Sequence, residues 1–248
     1  MTYDAIIPVR DEETTLEAVV RAAWAAPGLR QVIVVDDGSR DGSAAVARRA
    51  GARVVAAASP GAPGSKGRAL AIGVAASDAD VVVFFDGDLL FVRPEHFSAL
   101  AEPVLSGAYG LSCGLVDYGP QNSVFMRLPP ITGLRAMRRE LFEQVAPEAR
   151  HGFGIEIMIN DAAVRLGVAT CIRTLGGIAH RTKVQKRGWR RAIPSYVSMI
   201  WQLVACLGRV PLWRYVSYLR RLDVLPAVPL AEGAPRLAPR SSTSADAA

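Results

Sequence analysis

The stretch VVVFFDGDLLF, Val81–Phe91, places five apolar residues directly before two aspartates that a single glycine separates. A short apolar run is typical of a buried strand, and buried carboxylates are costly unless something pairs with them. Carboxylate oxygens are ligands that Mg²⁺ and Mn²⁺ accept. We therefore predict that Asp86 and Asp88 bind a divalent cation, and that Gly87 lets a ligand approach the backbone. The alternative is a polar turn that ends the strand.

The residues before this stretch alternate between apolar runs and helical patterns. Helices are predicted in TTLEAVVRAAWAA, RDGSAAVARRAG and RALAIGVAAS, and buried strands in DAIIPV, QVIVVDDGS, RVVAAA and DVVVFFD. This alternation indicates βαβ units and a mostly parallel sheet. Such sheets bind ligands at the carboxyl ends of their strands, where this sequence places Asp11–Glu13, Asp36, Asp37, Asp86 and Asp88. The shared position favours a ligand site over a polar turn.

The composition limits the classes of function. The chain has 248 residues, of which 50% are hydrophobic, and a net charge of +6, so a large core and anionic partners are expected. Its three cysteines, Cys113, Cys171 and Cys206, form no disulfide or zinc pattern, which favours a reducing cytoplasm. We expect no signal peptide, and no apolar run approaches the ~20 residues that cross a bilayer.

Three further residues have both a functional and a structural interpretation. Asp36 follows a strand and either accepts hydrogen bonds from a nucleotide or belongs to an Asx turn. Lys66 precedes a helix in GAPGSKGRA, which is not a P-loop, and either contacts a phosphate or lies in solvent. His180 ends an apolar strand and could bind Mn²⁺ only if the chain folds back beside Asp88.

The C-terminal third is basic and aromatic. Six Lys and Arg residues lie between 181 and 191, and aromatic residues alternate with arginines as far as residue 221. The basic residues fit a solvated face, a diphosphate clamp or a contact with an anionic membrane surface. The aromatic residues fit a peripheral membrane contact or a packed pair of helices. No nucleic-acid recognition motif is present, so nucleic acid is not an expected partner.

Four segments together resemble the family 2 glycosyltransferases, which have the GT-A fold. They are AIIPVRDEETTLEAVV, QVIVVDDGSRDGSAAVA, GSKGRALAIGVAASDADVVVFFDGD and ITGLRAMRREL. The resemblance covers roughly residues 4–190 and is greatest to polyprenyl- or dolichyl-phosphate sugar transferases and glucosyl-3-phosphoglycerate synthases. It implies an α/β GT-A fold with a mostly parallel central sheet and a helical C-terminal extension.

The resemblance also implies a role for each matching residue. The metal ligands would be Asp86, Asp88 and His180, with Asp88 the firmer of the two acids. The catalytic residues would be Glu156, as the catalytic acid or base, and Asp88. The residues expected to bind the nucleotide sugar are Pro8, Arg10, Glu12, Asp36, Lys66, Asp86, Gly87, Thr132, Gly133 and Arg135. The family often has Asn in place of Asp11.

Two departures from the relatives are visible in the sequence. The phosphoglycerate enzymes have an arginine two residues before the histidine, where this chain has Ile178. The polyprenyl type often carries two C-terminal transmembrane helices that are not recognisable here. The implied organisation is a catalytic domain over 1–190 (nucleotide half 1–90, acceptor half 91–190), a helical extension over 191–225 and a disordered tail over 226–248.

These features predict a cytoplasmic, metal-dependent hexosyltransferase that uses Mg²⁺ or Mn²⁺. It would move a sugar from a nucleotide-diphosphate sugar, expected to be a UDP-sugar, to a phosphorylated, lipid-linked or small-molecule acceptor. The alternatives are a sugar-phosphate nucleotidyltransferase and a non-catalytic protein that binds nucleotide sugars or membrane surfaces. The stereochemical outcome and the oligomeric state stay open, with a homodimer as one option.

Overall fold

A computed structural model describes residues 2–62, 64–117, 130–145, 154–180 and 210–229. The strands are β1 (Tyr3–Val9), β2 (Leu29–Asp37), β3 (Arg53–Ala58), β4 (Val81–Phe84), β5 (Leu89–Leu90), β6 (Leu111–Val116), β7 (Arg135–Arg138), β8 (Thr170–Leu175), β9 (Ala179–His180) and β10 (Leu222–Val224). The helices are α1 (Leu16–Trp24), α2 (Ser43–Arg49), α3 (Lys66–Ala75), α4 (Pro94–Leu105), α5 (Arg139–Glu143), α6 (Ile155–Arg165) and α7 (Leu212–Arg220).

Eight of these strands form one sheet in the order β10-β8-β6-β7-β4-β1-β2-β3. All neighbouring pairs are parallel except those of β7, which runs antiparallel to β4 and β6. The chain leaves β1 toward β2 and β3 and later returns to β1's other side as β4. The carboxyl ends of β1 and β4 therefore flank a switch point, where open α/β sheets bind their ligands.

Helices cover both faces of the sheet. One apolar cluster joins the sheet to α1, α2 and α4, and a second joins the other face to α3, α5 and α6. The four residues of β4 are all buried, because this central strand is covered from both sides. The predicted α/β fold with a mostly parallel sheet is thus present.

A charged cluster lies at the edge of the sheet where β1 begins, opposite the switch point. Asp4 is fully buried and accepts hydrogen bonds from Arg30 Nε at 2.9 Å and Nη2 at 2.7 Å. The Ser77 hydroxyl donates to Asp4 Oδ2 at 2.6 Å. The buried carboxylate is therefore paired and hydrogen-bonded, as burial of a charge requires.

The C-terminal part differs from the predicted organisation. Residues 222–224 are not part of a separate helical extension, because they form β10, which pairs in parallel with β8 at the edge of the main sheet. The first residues of the predicted disordered tail are also structured, since Val228 N donates to Thr174 O at 2.8 Å. The basic stretch 181–191, Cys206 and the residues from 230 onward lie outside the described residues. No described helix is long and apolar enough to span a bilayer.

We predict that Gly73→Ala destabilises the protein although alanine favours helices. A Cβ at residue 73 of α3 would lie 3.0 Å from Val35 Cγ2 and even closer to Ile6 Cγ2, so α3 would have to move off the sheet. Overpacking of this kind costs about 1–3 kcal/mol, which outweighs the ~1 kcal/mol gained in helix propensity. Urea unfolding of Gly73→Ala measures the net loss, and Ala75→Gly at the exposed end of α3 calibrates propensity alone. A Gly73→Ala protein more stable than wild type would contradict this packing.

Candidate active site

The D-G-D motif follows β4 and is held against the first loop of the sheet. Thr15, which precedes α1, donates from its hydroxyl to Gly87 O at 2.7 Å. A Cβ on Gly87 would lie 2.8 Å from Val9 Cγ1 and would also collide with the Glu12 carboxylate. Glycine is therefore required between the two acids because the loop after β1 leaves no room for a side chain. Asp86 and Asp88 are both partly exposed at this point.

A cluster of three charges lies beside this motif. Lys66, the first residue of α3, donates from Nζ to Asp86 Oδ1 at 2.7 Å and lies 3.4 Å from Glu156 Oε1. The exposed fractions of these side chains are only 24% for Lys66, 19% for Asp86 and 12% for Glu156. The first turns of α3 and α6 and the loop after β4 thus bring one ammonium and two carboxylates into one partly buried cluster.

The environment of Lys66 fixes its protonation. Burial alone would lower the pKa of this ammonium, but the adjacent Asp86 and Glu156 carboxylates outweigh burial and raise the pKa above its ordinary value. Opposite charges at hydrogen-bond distance favour the charged form in this way. Lys66 is therefore a permanent cation at neutral pH.

A tight turn before β7 presses on this cluster. A Cβ on Gly133 would lie 2.7 Å from Asp86 Oδ2 and would also collide with Lys66 Nζ. Thr132 fixes the turn, because its hydroxyl donates to Gly114 O at 2.7 Å and accepts from Leu134 N at 3.1 Å. The structure therefore brings the predicted residues Thr132 and Gly133 to the Lys66–Asp86 pair.

Arg135 differs from its predicted role as a contact to the nucleotide sugar. Its side chain is fully buried and donates to Thr132 O at 2.7 Å, Asn160 Oδ1 at 2.7 Å and Pro130 O at 2.6 Å. The guanidinium therefore points into the protein and ties the Pro130–Leu134 turn to α6. We correct the expectation accordingly: Arg135 supports the turn and does not face the cleft.

The two acids at the end of β2 make different contacts. Asp36 is partly exposed and accepts from Ser39 N at 2.8 Å, which makes an Asx turn. Asp37 is buried and accepts from Ser65 N at 2.6 Å, so it anchors the start of α3. Ser39 accepts from Asp11 N at 3.2 Å and joins this loop to the one after β1. Asp36 stays the candidate for contact with a nucleotide.

The loop after β1 is held by contacts of its own. Arg10 donates to Asp37 O at 3.1 Å and to Ala62 O at 2.7 Å, so its guanidinium joins three loops around the cleft. Glu12 N donates to Ser43 Oγ at 2.8 Å. Asp11 has φ 57°, a conformation that Asp and Asn tolerate better than other side chains. Aspartate is therefore a suitable residue at position 11.

One predicted binding residue, Pro8, lies on β1 itself. Pro8 is partly exposed near the carboxyl end of the strand and lies opposite Val35 of β2. The next residue, Val9, lies opposite Asp36. The parallel register therefore brings the end of β1 level with the candidate nucleotide acid.

The predicted metal site depends on β9, the short strand that pairs with β5 directly after the D-G-D motif. β9 pairs antiparallel with β5, and His180 lies opposite Leu89, the residue after Asp88. The described side chains by themselves form no group of three or more His, Cys, Asp or Glu placed to hold an ion. Two carboxylates with an imidazole nevertheless match the donors that Mn²⁺ accepts, and the backbone pairing brings their residues together. The ligand role of His180 stays a prediction.

The sequence model of the family described as Glycosyl transferase family 2 matches residues 4–164. The chain belongs to glycosyl transferase family 2. This family 2 glycosyltransferase has the fold and family predicted from its sequence. Its match includes β1 to β7, the D-G-D motif and the start of α6 with Glu156.

Two relatives are glucosyl-3-phosphoglycerate synthases. The one from Mycolicibacterium paratuberculosis (strain ATCC BAA-968 / K-10) is 31% identical over 223 residues, which are 73% of this chain and 66% of that protein. The one from Mycobacterium tuberculosis (strain CDC 1551 / Oshkosh) is 37% identical over 113 residues, which are 43% of this chain and 35% of that protein. The matched parts therefore span about two thirds and one third of these relatives.

Solved structures extend the likeness. Glucosyl-3-phosphoglycerate synthase from Mycobacterium tuberculosis in complex with Mn²⁺, uridine-diphosphate-glucose and phosphoglyceric acid matches with a TM-score of 0.69 and 30% identity, over 85% of this chain and 80% of that chain. The complex of the same enzyme with Mg²⁺ and uridine-diphosphate matches with a TM-score of 0.69 and 29% identity, over 87% and 79%. These structures confirm the GT-A fold of the family 2 glycosyltransferase described here.

We predict that Gly133→Ala disables the site with little loss of stability. The new methyl group would push the Lys66 ammonium and the Asp86 carboxylate apart, and a misplacement of about 1 Å costs roughly 100-fold in rate. Steady-state release of UDP from a UDP-sugar measures the loss, and the thermal midpoint reports folding. Thr132→Ser is the matched control, since it keeps the hydroxyl bonded to Gly114 O. Equal activity of Gly133→Ala and Thr132→Ser would remove this turn from the site.

Proposed function

We propose that this protein is a metal-dependent glycosyltransferase that transfers glucose from UDP-glucose to a small phosphorylated acceptor of the phosphoglycerate type. The observation that carries the proposal is the meeting of Asp86, Lys66 and Glu156 with the Gly133 turn at the carboxyl end of β4. The bound molecules named for the matching synthase structures, Mn²⁺, uridine-diphosphate-glucose and phosphoglyceric acid, support the choice of cofactor, donor and acceptor.

The residues divide into three roles. Asp86, Asp88 and His180 would hold the cation, which when bound offsets the negative charge that builds on the departing diphosphate. Asp36, Pro8 and Arg10 border the side of the cleft assigned to the nucleotide. Glu156 and the turn at Thr132 and Gly133 border the side assigned to the sugar and the acceptor.

Lys66 connects the two sides of the cleft. Its ammonium already bonds to Asp86 and lies within ion-pair distance of Glu156. A protonated lysine at this position can contact a phosphate oxygen of the donor while still neutralising Glu156. Lys66 is therefore assigned to the diphosphate as well as to the base or ribose region that the family resemblance implies.

Glu156 has two chemical options that depend on stereochemistry. In an inverting reaction its carboxylate takes the proton of the acceptor hydroxyl. In a retaining reaction it binds and orients the sugar. Both options require the Glu156 carboxylate to lie near the turn at Thr132 and Gly133, where the acceptor is assigned. The ion pair with Lys66 holds the carboxylate in the cleft in either case.

The acceptor is the least constrained part of the proposal. Ile178 occupies the position at which the phosphoglycerate enzymes have an arginine, and it is fully buried. A phosphate on the acceptor must therefore be bound by other cations of this basic chain. A cytoplasmic location, with peripheral membrane contact through residues 181–221, is an additional proposal, supported by charge and by the 64% exposed Trp213 of α7.

The decisive assay supplies UDP-glucose and 3-phosphoglycerate with Mn²⁺. We expect the wild-type protein to release UDP and form a glucosylated product, and Asp88→Ala to lower this rate at least about 100-fold, because metal stabilisation of charge contributes several kcal/mol. Asp80→Ala is the control, since Asp80 is an exposed acid just before β4, at the opposite end of the strand. Full activity of Asp88→Ala would exclude the assigned metal ligand.

The same assay tests the alternatives. A nucleotidyltransferase would release pyrophosphate from a nucleoside triphosphate and a sugar phosphate, and a non-catalytic binding protein would turn over neither set of substrates. Membership of glycosyl transferase family 2 favours transfer of the sugar. Appearance of pyrophosphate, or UDP-glucose binding without any turnover, would overturn the proposal.

A further inference from the structure

The connection between β8 and β9 decides where His180 lies. After Leu175 the chain makes a turn through Gly176 and Gly177, and Gly177 has φ +86°. Within three residues of this turn the chain reaches His180, opposite Leu89. A small change in the turn would therefore move the histidine relative to Asp88.

The short strand pair cannot hold this position by itself. β5 and β9 share only two paired residues each, Leu89 with His180 and Leu90 with Ala179. Even a complete two-stranded hairpin is only marginally stable in water. The placement of β9 must therefore depend on contacts made by the turn that leads into it.

His96, in the first turn of α4, makes such a contact. Its side chain is fully buried, Nδ1 accepts from Arg93 N at 3.0 Å, and Nε2 lies 3.1 Å from Gly176 O. Because Nδ1 accepts a hydrogen bond, the ring proton belongs on Nε2 and is donated to the Gly176 carbonyl. One imidazole therefore joins the start of α4 to the turn before β9.

The surroundings keep this imidazole in one form. Burial, together with the neighbouring Arg93 cation, lowers the pKa of His96 to about 4. The neutral ring is thus maintained at neutral pH with a single tautomer, and its two hydrogen bonds have fixed directions. Arg93 adds a further anchor by donating to Pro229 O at 2.7 Å, and Val228 of the same segment accepts from Gly176 N at 3.0 Å.

We propose that His96 is a positioning residue for the metal site, because its hydrogen bond to Gly176 O sets the turn that places His180 beside Asp88. The inference rests on the proposed function, since it takes His180 as a ligand of the cation. Capping of α4 alone does not explain His96. Glutamate or glutamine is the usual partner at this position of a capping box. Nε2 of His96 lies 3.3 Å from Arg93 Nη2 within the cap, but its proton is donated to Gly176 O, in a different segment, at 3.1 Å.

The test separates the two bonds of the ring. His96→Asn keeps an acceptor near the position of Nδ1 but cannot reach Gly176, whereas His96→Gln places an amide N–H near the position of Nε2. We expect His96→Asn to weaken Mn²⁺ binding in saturating UDP about tenfold, as loss of a residue that orients a ligand does. His96→Gln should lie closer to wild type, and UDP binding without metal should be unchanged in both. Isothermal titration with Mn²⁺ and with UDP measures these affinities without reference to activity.

Two further variants control for general destabilisation. Ser77→Ala breaks the buried bond to Asp4 at the opposite edge of the sheet, and should lower the thermal midpoint without altering Mn²⁺ affinity. Gly177→Ala strains the same turn without touching His96 and should weaken Mn²⁺ binding, which keeps the test decisive if His96→Asn does not fold.

The outcomes separate this inference from the proposed function. If His96→Asn or Gly177→Ala binds Mn²⁺ as tightly as wild type, the positioning role is excluded. The role is also excluded if Ser77→Ala, which lowers stability at a distance from the site, weakens Mn²⁺ binding as much as His96→Asn does. If the wild-type protein with UDP binds no Mn²⁺, the proposed function itself fails and the inference fails with it.

Discussion

The candidate site depends on the balance of charge around Lys66. Asp86 and Glu156 come from different parts of the chain and are both mostly buried, so they could not face each other without a cation. The Lys66 ammonium supplies that cation from the first turn of α3. With one ammonium and two carboxylates, the cluster keeps a net negative charge. In the proposed reaction, the metal ion that accompanies the donor would supply further positive charge.

The sheet explains why these groups meet. β1 and β4 are parallel neighbours, and the loops that follow them must lie at the same edge. The Ser65 hydroxyl accepts from Arg68 N at 3.3 Å and caps α3, while Asp37 holds Ser65 from the end of β2. Lys66 is thus positioned by the backbone of two loops before its own side chain makes any contact. The antiparallel strand β7 then brings the Gly133 turn over the pair.

Much of this could be predicted from the sequence because it depends on local patterns. Apolar runs that end in acids identified the strands, their parallel arrangement and the edge at which Asp36, Asp86 and Asp88 lie. Residues whose roles depend on distant partners could not be assigned this way. Arg135 was predicted to contact the nucleotide sugar, but its guanidinium points into the protein and donates a hydrogen bond to Asn160 on α6. No sequence pattern indicated a role for His96, since its partner Gly176 is 80 residues away. Strand β10 was not predicted either, because it follows a basic and aromatic segment that was expected to be helical.

The central claim is that the cluster of Lys66, Asp86 and Glu156 lies at a site that binds a diphosphate together with a metal ion. The affinity for UDP, measured with and without metal, tests this claim most directly. Calorimetric titration of the wild-type protein with UDP, in Mn²⁺ and then in EDTA, isolates the metal's contribution from every later step of the reaction. The account predicts binding at least about tenfold tighter in Mn²⁺, a difference of about 1.4 kcal/mol or more. Equal affinity in the two buffers would contradict it.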